Sequence, residues 1–526
     1  MPPSPPARAL AAGAALRVIV ALLAVAAAAG GAAAATVPES APASAPAPAS
    51  APAPAPASPE SAPASAPPAV PTGAAGAAVP PASSIPRDLL RGFDFGTYGR
   101  VIAATDLRGG SGRRYALVAH PPRTDEPTYL ELDLYEHLAP VRVHVTLALT
   151  DPLFHFDGNF DARLAIRNLY LEVDGFGGVG GLSAWIGSRM WRGDDIYLLD
   201  FWPLDELNTV GGGLALRLPA DPPSGTRPDG WPLTELALAV GVNRLDDEWQ
   251  LQTITAPSNG FEPEDVVFLD RERFIGAVRL THERALVGPL HVKARVYGEA
   301  HRIGAGSLLV DPAAGRTEAL PADEGWLAGV ELGAWGFGVR QGFVNLFLRY
   351  ATGLAAYGEL AVPYGLDTER RAAGAHELLA GLSGNIDLGP VAITAGAYVR
   401  RFRDADPNVF DRDDLLEAVA VARVTVQILA RAHLAAEASW ETFRPDGLSA
   451  AGTADHPAAW RLALMPLWSP FGRGAFTRPH LRLIYTVTLP NADARALLNP
   501  EDPRADQRAI HFLGLGAEWW FNSSFR

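Results

Sequence analysis

The sequence predicts an all-β fold, a transmembrane antiparallel β-barrel of roughly 16 to 18 strands. Three observations predict it. Short segments alternate apolar and polar side chains, their connections are unequal in length, and a strand-length run rich in Gly and Trp closes the chain.

Composition sets the bounds. The chain has 526 residues and a net charge of −14, which argues against a nucleic-acid surface, since that needs clustered Lys and Arg. It contains no cysteine, so neither a disulfide framework nor a Cys-ligated metal holds it together. Stability must come from strand pairing and packing. The 52 glycines and 12 tryptophans agree with β architecture bordered by aromatic girdles.

At the N-terminus, Arg8 and Arg17 precede the apolar run Val18 to Ala29, and Ala33 and Ala35 follow in A-x-A spacing. This reads as a secretory signal over residues 1–35, cleaved near Ala35. Residues 36–90 are dominated by Ala, Pro and Ser, a composition that keeps the backbone extended and builds no core. They are expected to form a disordered periplasmic linker, whose reach is on the order of 150 Å at about 3.1 Å per residue. Contact with the periplasm or cell wall is one use for it; a tail without a partner is the other. Residues 91–526 are left for the barrel.

Alternation carries the fold. Leu130, Leu132 and Leu134 lie on one face, with Tyr129, Glu131 and Asp133 on the other. Val141, Val143, Val145, Leu147 and Leu149 alternate with Arg142, His144, Thr146, Ala148 and Thr150. The same rhythm sets Val292, Ala294 and Val296 against Lys293, Arg295 and Tyr297, and Leu481, Leu483 and Tyr485 against His480, Arg482 and Ile484. Stretches rich in Asp, Pro, Gly and Arg (218–230, 300–325, 402–414 and 490–507) read as long loops, and Asn385 to Pro390 as a tight turn. Long loops at one rim and short turns at the other are the layout of an outer-membrane barrel. The sheet must close, because an unpaired edge in hydrocarbon costs several kcal/mol per group. Phe512 to Phe521 reads as the closing strand.

Six separated motifs occur in an order that resembles the maltoporin family of sugar-specific porins. They are F-D-F-G-T-Y-G-R (Phe93 to Arg100), T-Y-L-E-L-D-L (Thr128 to Leu134), G-S-R-M-W-R-G-D-D-I-Y-L-L-D-F-W (Gly187 to Trp202), G-F-V-N-L-F-L-R-Y-A-T (Gly342 to Thr352), F-T-R-P-H-L-R-L (Phe476 to Leu483) and the ending G-A-E-W-W-F. The resemblance spans about 93–521. It implies an eighteen-stranded homotrimer in the bacterial outer membrane, with the segment Asp194 to Gly213 as an inward constriction. It also implies facilitated diffusion of maltose, malto-oligosaccharides or related oligosaccharides, with no cofactor and no catalysis.

Carried over motif by motif, the family's ladder of aromatic rungs falls on Tyr129, Tyr98, Trp520, Phe476 and Phe343, with Phe160 for the rung donated by a neighbouring subunit. Its polar track falls on Arg100, Glu131, Arg167, Asp195 and Asp200, and Trp202 stands where the family has a tyrosine in the constricting loop. Parity supplies a check independent of the resemblance, since side chains two apart share a face. Tyr98 is in phase with Arg100, Tyr129 with Glu131, Phe343 with Asn345 and Arg349, Phe476 with Arg478, and Trp520 with Glu518. Trp519 and Phe521 fall out of phase and read as membrane-belt residues. Two arginines of the family's track are replaced, by Ala116 and Gly193, so a wider and less selective pore is a rival expectation.

Other classes find less support. Asp194 with Asp195, or Asp411, Asp413 and Asp414, offer carboxylates to a hard cation, but acidic loops at an exterior rim are the plainer reading. Gly211 to Gly213 reads as a flexible loop piece, without the Lys and Ser/Thr of a phosphate loop. No His, Ser and acid set suggests hydrolysis. A general diffusion pore for small hydrophilic solutes remains the alternative, and a structural or adhesive envelope protein a third.

Overall fold

The computed structural model describes residues 92–150, 163–219, 232–256, 262–338, 342–408, 412–449, 452–472 and 474–523. The expected signal and linker lie outside the described residues, as does Phe160.

The strands, in chain order, are β1 (Phe93–Thr105), β2 (Tyr129–Leu138), β3 (Val141–Thr150), β4 (Arg163–Asp174), β5 (Leu182–Arg192), β6 (Glu206–Leu218), β7 (Leu233–Asn243), β8 (Leu251–Ala256), β9 (Glu264–Asp270), β10 (Arg273–Val287), β11 (Leu290–Ile303), β12 (Gly306–Asp311), β13 (Arg316–Leu320), β14 (Asp323–Phe337), β15 (Gly342–Gly353), β16 (His376–Asp387), β17 (Val391–Arg403), β18 (Leu415–Gln427), β19 (Ala432–Pro445), β20 (Ala458–Trp468), β21 (His480–Pro490) and β22 (Ile510–Phe521). Eighteen of them form one antiparallel sheet; β8 with β9 and β12 with β13 are separate hairpins in the connections. The sheet closes because β1 pairs with β2 on one side and with β22 on the other, from Thr97 opposite Phe521 to Thr105 opposite Leu513. Closure leaves no edge to face lipid.

The two faces are inverted relative to a water-soluble sandwich. Adjacent residues decide it: Leu332 is 57% exposed while Glu331 is fully buried, and Leu462 is 50% exposed while Arg461 is 1%. Apolar side chains meet lipid, and the charged ones point inward, where they neutralise one another across the strands. Arg295 stands opposite Glu331 and pairs with it at 2.7 Å, and Arg423 opposite Glu437, also at 2.7 Å.

Connections alternate between rims. Ala139–Pro140, Gly288–Pro289 and Leu388–Pro390 are short, whereas 106–128, 244–272, 354–375 and 491–509 are long. Four sequence expectations are corrected here. The stretch expected as a long-rim loop over 218–230 begins where β6 ends, at Leu218 on the short-connection rim, and 220–231 lie outside the described residues. Much of 300–325 is strand, ending β11, forming the β12–β13 hairpin and beginning β14. Gly211 to Gly213 is not a loop but the middle of β6, so the inward loop is shorter than expected and comprises Gly193 to Asp205. Glycine at 211 marks a close approach of backbones, because a Cβ there would lie 2.0 Å from the Val240 carbonyl oxygen. Finally, β21 begins at His480, which leaves Phe476 in the preceding connection.

The lumen is partly filled by chain. Ile196, Leu198, Leu199, Phe201 and Leu204 of the inward loop join one apolar cluster with Phe347, Leu379 and Val419 of the opposite wall. Burial of these five side chains fixes the loop across the barrel without any covalent tie.

Candidate functional site

Barrel closure builds the first part of the site. The β1–β22 register sets Tyr98 opposite Trp520 and Arg100 opposite Glu518, and the β1–β2 register sets Tyr98 opposite Glu131 and Arg100 opposite Tyr129. Aromatic and charged groups thus alternate across three neighbouring strands. The Tyr98 and Tyr129 ring centroids are 6.0 Å apart, and those of Phe343 and Phe476 are 5.9 Å apart. Between these groups the inward loop inserts Tyr197, whose ring lies 4.9 Å from Phe476 and 6.3 Å from Trp520. The five expected rungs are therefore brought into one row, with Tyr197 as an added member. Trp202 packs on Tyr98, and the Arg192 guanidinium sits 3.9 Å over its indole ring.

The polar groups follow the same row. Arg167 Nη1 donates to the Tyr129 hydroxyl at 2.6 Å and to Glu131 at 2.5 Å, while the Tyr129 hydroxyl donates to Glu131 at 2.5 Å. Arg100 pairs with Glu126 at 3.0 Å and donates to the Tyr98 hydroxyl at 2.9 Å. Arg478 lies 4.1 Å over Trp520, pairs with Glu518 at 2.9 Å and hydrogen-bonds to the Tyr197 hydroxyl. Asp195 is half-buried in the inward loop. Its neighbour Asp194, a candidate cation ligand by sequence, is instead held by Lys293 and by Arg295 at 3.0 Å. Among the described residues no group of three or more His, Asp or Glu is arranged to hold a metal. Asp200 occupies a left-handed backbone conformation (φ 52°), and burial pushes its carboxyl up to about 6 against the opposing pull of Arg123.

The first loop contributes residues that sequence reasoning missed. Arg123, in the turn Arg123–Asp125, donates to the Tyr98 hydroxyl at 2.5 Å and pairs with Glu518 and Glu126, each at 3.2 Å. With Trp202 it leaves Tyr98 with no exposed surface. Nothing in R-T-D-E marks the segment as inward-facing, whereas the apolar run I-Y-L-L is a signal that could have found Tyr197. Of the two replaced arginines, Ala116 is exposed on the first loop. Gly193 does not widen the lumen, since a Cβ there would lie 2.1 Å from Asp205 Oδ1 and 2.5 Å from Arg295 Nη1. The space is occupied by other charged groups.

Two cavities flank this constriction. One, of about 410 Å³ towards the long loops, is lined by His120, Trp202, Arg349, Glu359 and Arg400 among others. The second, of about 340 Å³ at the short-connection rim, reaches Trp520.

A closed eighteen-stranded barrel with an apolar exterior, a charged interior and an inward loop defines an outer-membrane porin. The chain belongs to the LamB porin family, whose model matches residues 93–216 and 291–521. Among solved structures it is similar to Wzi of Escherichia coli, described as a carbohydrate-binding β-barrel involved in group 1 capsule assembly. Identity there is 12%, over 83% of this chain and 86% of that one, with a TM-score of 0.35. It is also similar to the outer-membrane channel DcaP of Acinetobacter baumannii, at 12% identity over 82% of this chain and 98% of that one, with a TM-score of 0.36. A search of the curated proteins finds no match.

Proposed function

We propose that the barrel mediates facilitated diffusion of sugars, namely maltose, malto-oligosaccharides or related oligosaccharides, and performs no catalysis. One observation carries the reading: the row Phe343, Phe476, Tyr197, Trp520, Tyr98 and Tyr129, bordered along its length by Arg478–Glu518, Arg100–Glu126 and Arg167–Glu131. Sugars offer apolar ring faces to aromatic side chains and hydroxyls to charged groups, so a row of this composition suits them. Family membership supports a homotrimer, in which Phe160 extends a neighbour's ladder. A secretory signal over 1–35 and a periplasmic linker over 36–90 complete the proposed organisation.

Single-channel recording tests the reading. Maltohexaose is expected to block ion current saturably, and Trp520→Ala or Phe476→Ala to weaken that block about tenfold, as the loss of one aromatic contact of about 1.5 kcal/mol requires. A general diffusion pore for small hydrophilic solutes would instead show current that falls only with solution viscosity, without saturation, in wild type and variants alike.

A further inference from the structure

Beyond Trp520, at the short-connection rim, the cavity of about 340 Å³ has a second aromatic wall that the ladder does not include. Tyr135 of β2 stands opposite His144 of β3, and His144 opposite Tyr170 of β4, so three neighbouring strands present one ring each at the same level. The Tyr135 and His144 rings are stacked with centroids 4.3 Å apart, and Tyr170 meets His144 edge-on at 5.3 Å. His144 is fixed between two partners, Asp133 at 3.0 Å and the Tyr170 hydroxyl at 3.1 Å. Of the charged groups, Arg142 and Glu172 line the same cavity, and Arg189 stands behind Tyr170 and Glu172. Glu172 lies 3.5 Å from Arg142 and 3.6 Å from Arg189, and the Arg189 guanidinium sits 4.6 Å over Tyr170.

Membrane-belt packing does not explain these rings. Tyr135 shares its face of β2 with Glu131 and Asp133, both fully buried inside the barrel, and successive lumenal positions carry it about 20 Å along the strand from Tyr129. Aromatic side chains beside a carboxylate bridged by two arginines repeat the composition of the constriction, one level further along the lumen. A volume near 340 Å³ is at the low end of small-molecule sites, about 300–1,000 Å³, and suits a short stretch of sugar rather than a long chain.

We propose that this cavity is a second sugar subsite, which receives a pyranose after it has passed Trp520. Tyr135 and Tyr170 supply the apolar contact, and Arg142 and Glu172 exchange hydrogen bonds with ring hydroxyls. The proposal rests on the sugar-channel reading and adds to it a step at the short-connection rim.

Sided single-channel recording with maltotriose tests it on the full chain. In the double variant Tyr135→Ala with Tyr170→Ala, the blocking constant for maltotriose added at the short-connection side is expected to rise about tenfold. Addition at the long-loop side is expected to change it less than about twofold, and Tyr135→Phe with Tyr170→Phe to retain the block. If the alanine pair fails to insert, Glu172→Gln is read instead and should show the same one-sided weakening, with Glu172→Asp restoring most of it. Equal change at both sides, or none at either, with wild-type block intact overturns the subsite alone. Absence of saturable block in the wild type overturns the sugar-channel reading and the subsite together.

Discussion

Arg123→Ala addresses how a sugar gets past the constriction. Arg123 covers Tyr98 through a 2.5 Å hydrogen bond to its hydroxyl and two ion pairs at 3.2 Å, to Glu518 and Glu126. Removing it leaves neither carboxylate alone, because Glu518 keeps Arg478 at 2.9 Å and Glu126 keeps Arg100 at 3.0 Å. The cost is therefore that of charge-assisted hydrogen bonds, about 1.5–3 kcal/mol, rather than the 3–5 kcal/mol of an orphaned buried charge. If the guanidinium must swing aside before a sugar can touch Tyr98, the same free energy opposes binding in the wild type. Its removal should tighten oligosaccharide block about tenfold to a hundredfold. Blocking constants for maltohexaose in wild type and Arg123→Ala measure this directly, and heat-dependent electrophoretic mobility checks that the barrel is intact. An unchanged or weaker block would show that Arg123 does not act as a cover, and a weaker one that it contacts the sugar itself.

Two further perturbations follow from the geometry. Glu359, in the loop after β15, is buried and accepts hydrogen bonds from Asn208 at 2.6 and 2.8 Å, yet burial outweighs them and pushes its carboxyl from the ordinary 4.5 up to about 8. The folded state then holds a proton that the unfolded chain releases, so this contribution to stability is complete below about 4.5 and lost as pH rises through about 8. Thermal unfolding from pH 5 to 9 should show wild type losing ground to Glu359→Gln, and parallel curves would refute the assignment. Gly211→Ala should cost about 1–3 kcal/mol of barrel stability through overpacking against the Val240 carbonyl, read as an earlier midpoint in denaturant, and an unchanged midpoint would mean that β6 and β7 can part there.

The barrel was legible because membrane strands obey a rule that acts one residue at a time. In Tyr129 to Tyr135 both charged positions, Glu131 and Asp133, had to face the lumen, so the period alone told inside from outside. The same parity set Tyr98, Tyr129, Phe343 and Trp520 in phase with charged positions of their strands, although it did not show what would cover them. Loops obey no such rule. Asp, Pro and Gly suggested an irregular segment over 300–325, where backbone pairing formed the β12–β13 hairpin, and three glycines suggested a loop where β6 needed room for a neighbouring strand. Arg123 was invisible for a related reason: its inward position depends on partners in β1 and β22 that lie far away in sequence.

The absence of cysteine from the chain permits the most direct test of the central claim. Single cysteines in place of Phe476, Trp520 and Phe521 would be exposed in lipid-embedded protein to a charged, water-soluble thiol reagent, with and without maltohexaose. Positions 476 and 520 are expected to react and to be protected by the sugar, while position 521, on the lipid face, is expected not to react. Reaction at 521 with silence at 476 and 520, or reaction at 476 and 520 that sugar leaves unchanged, would contradict it.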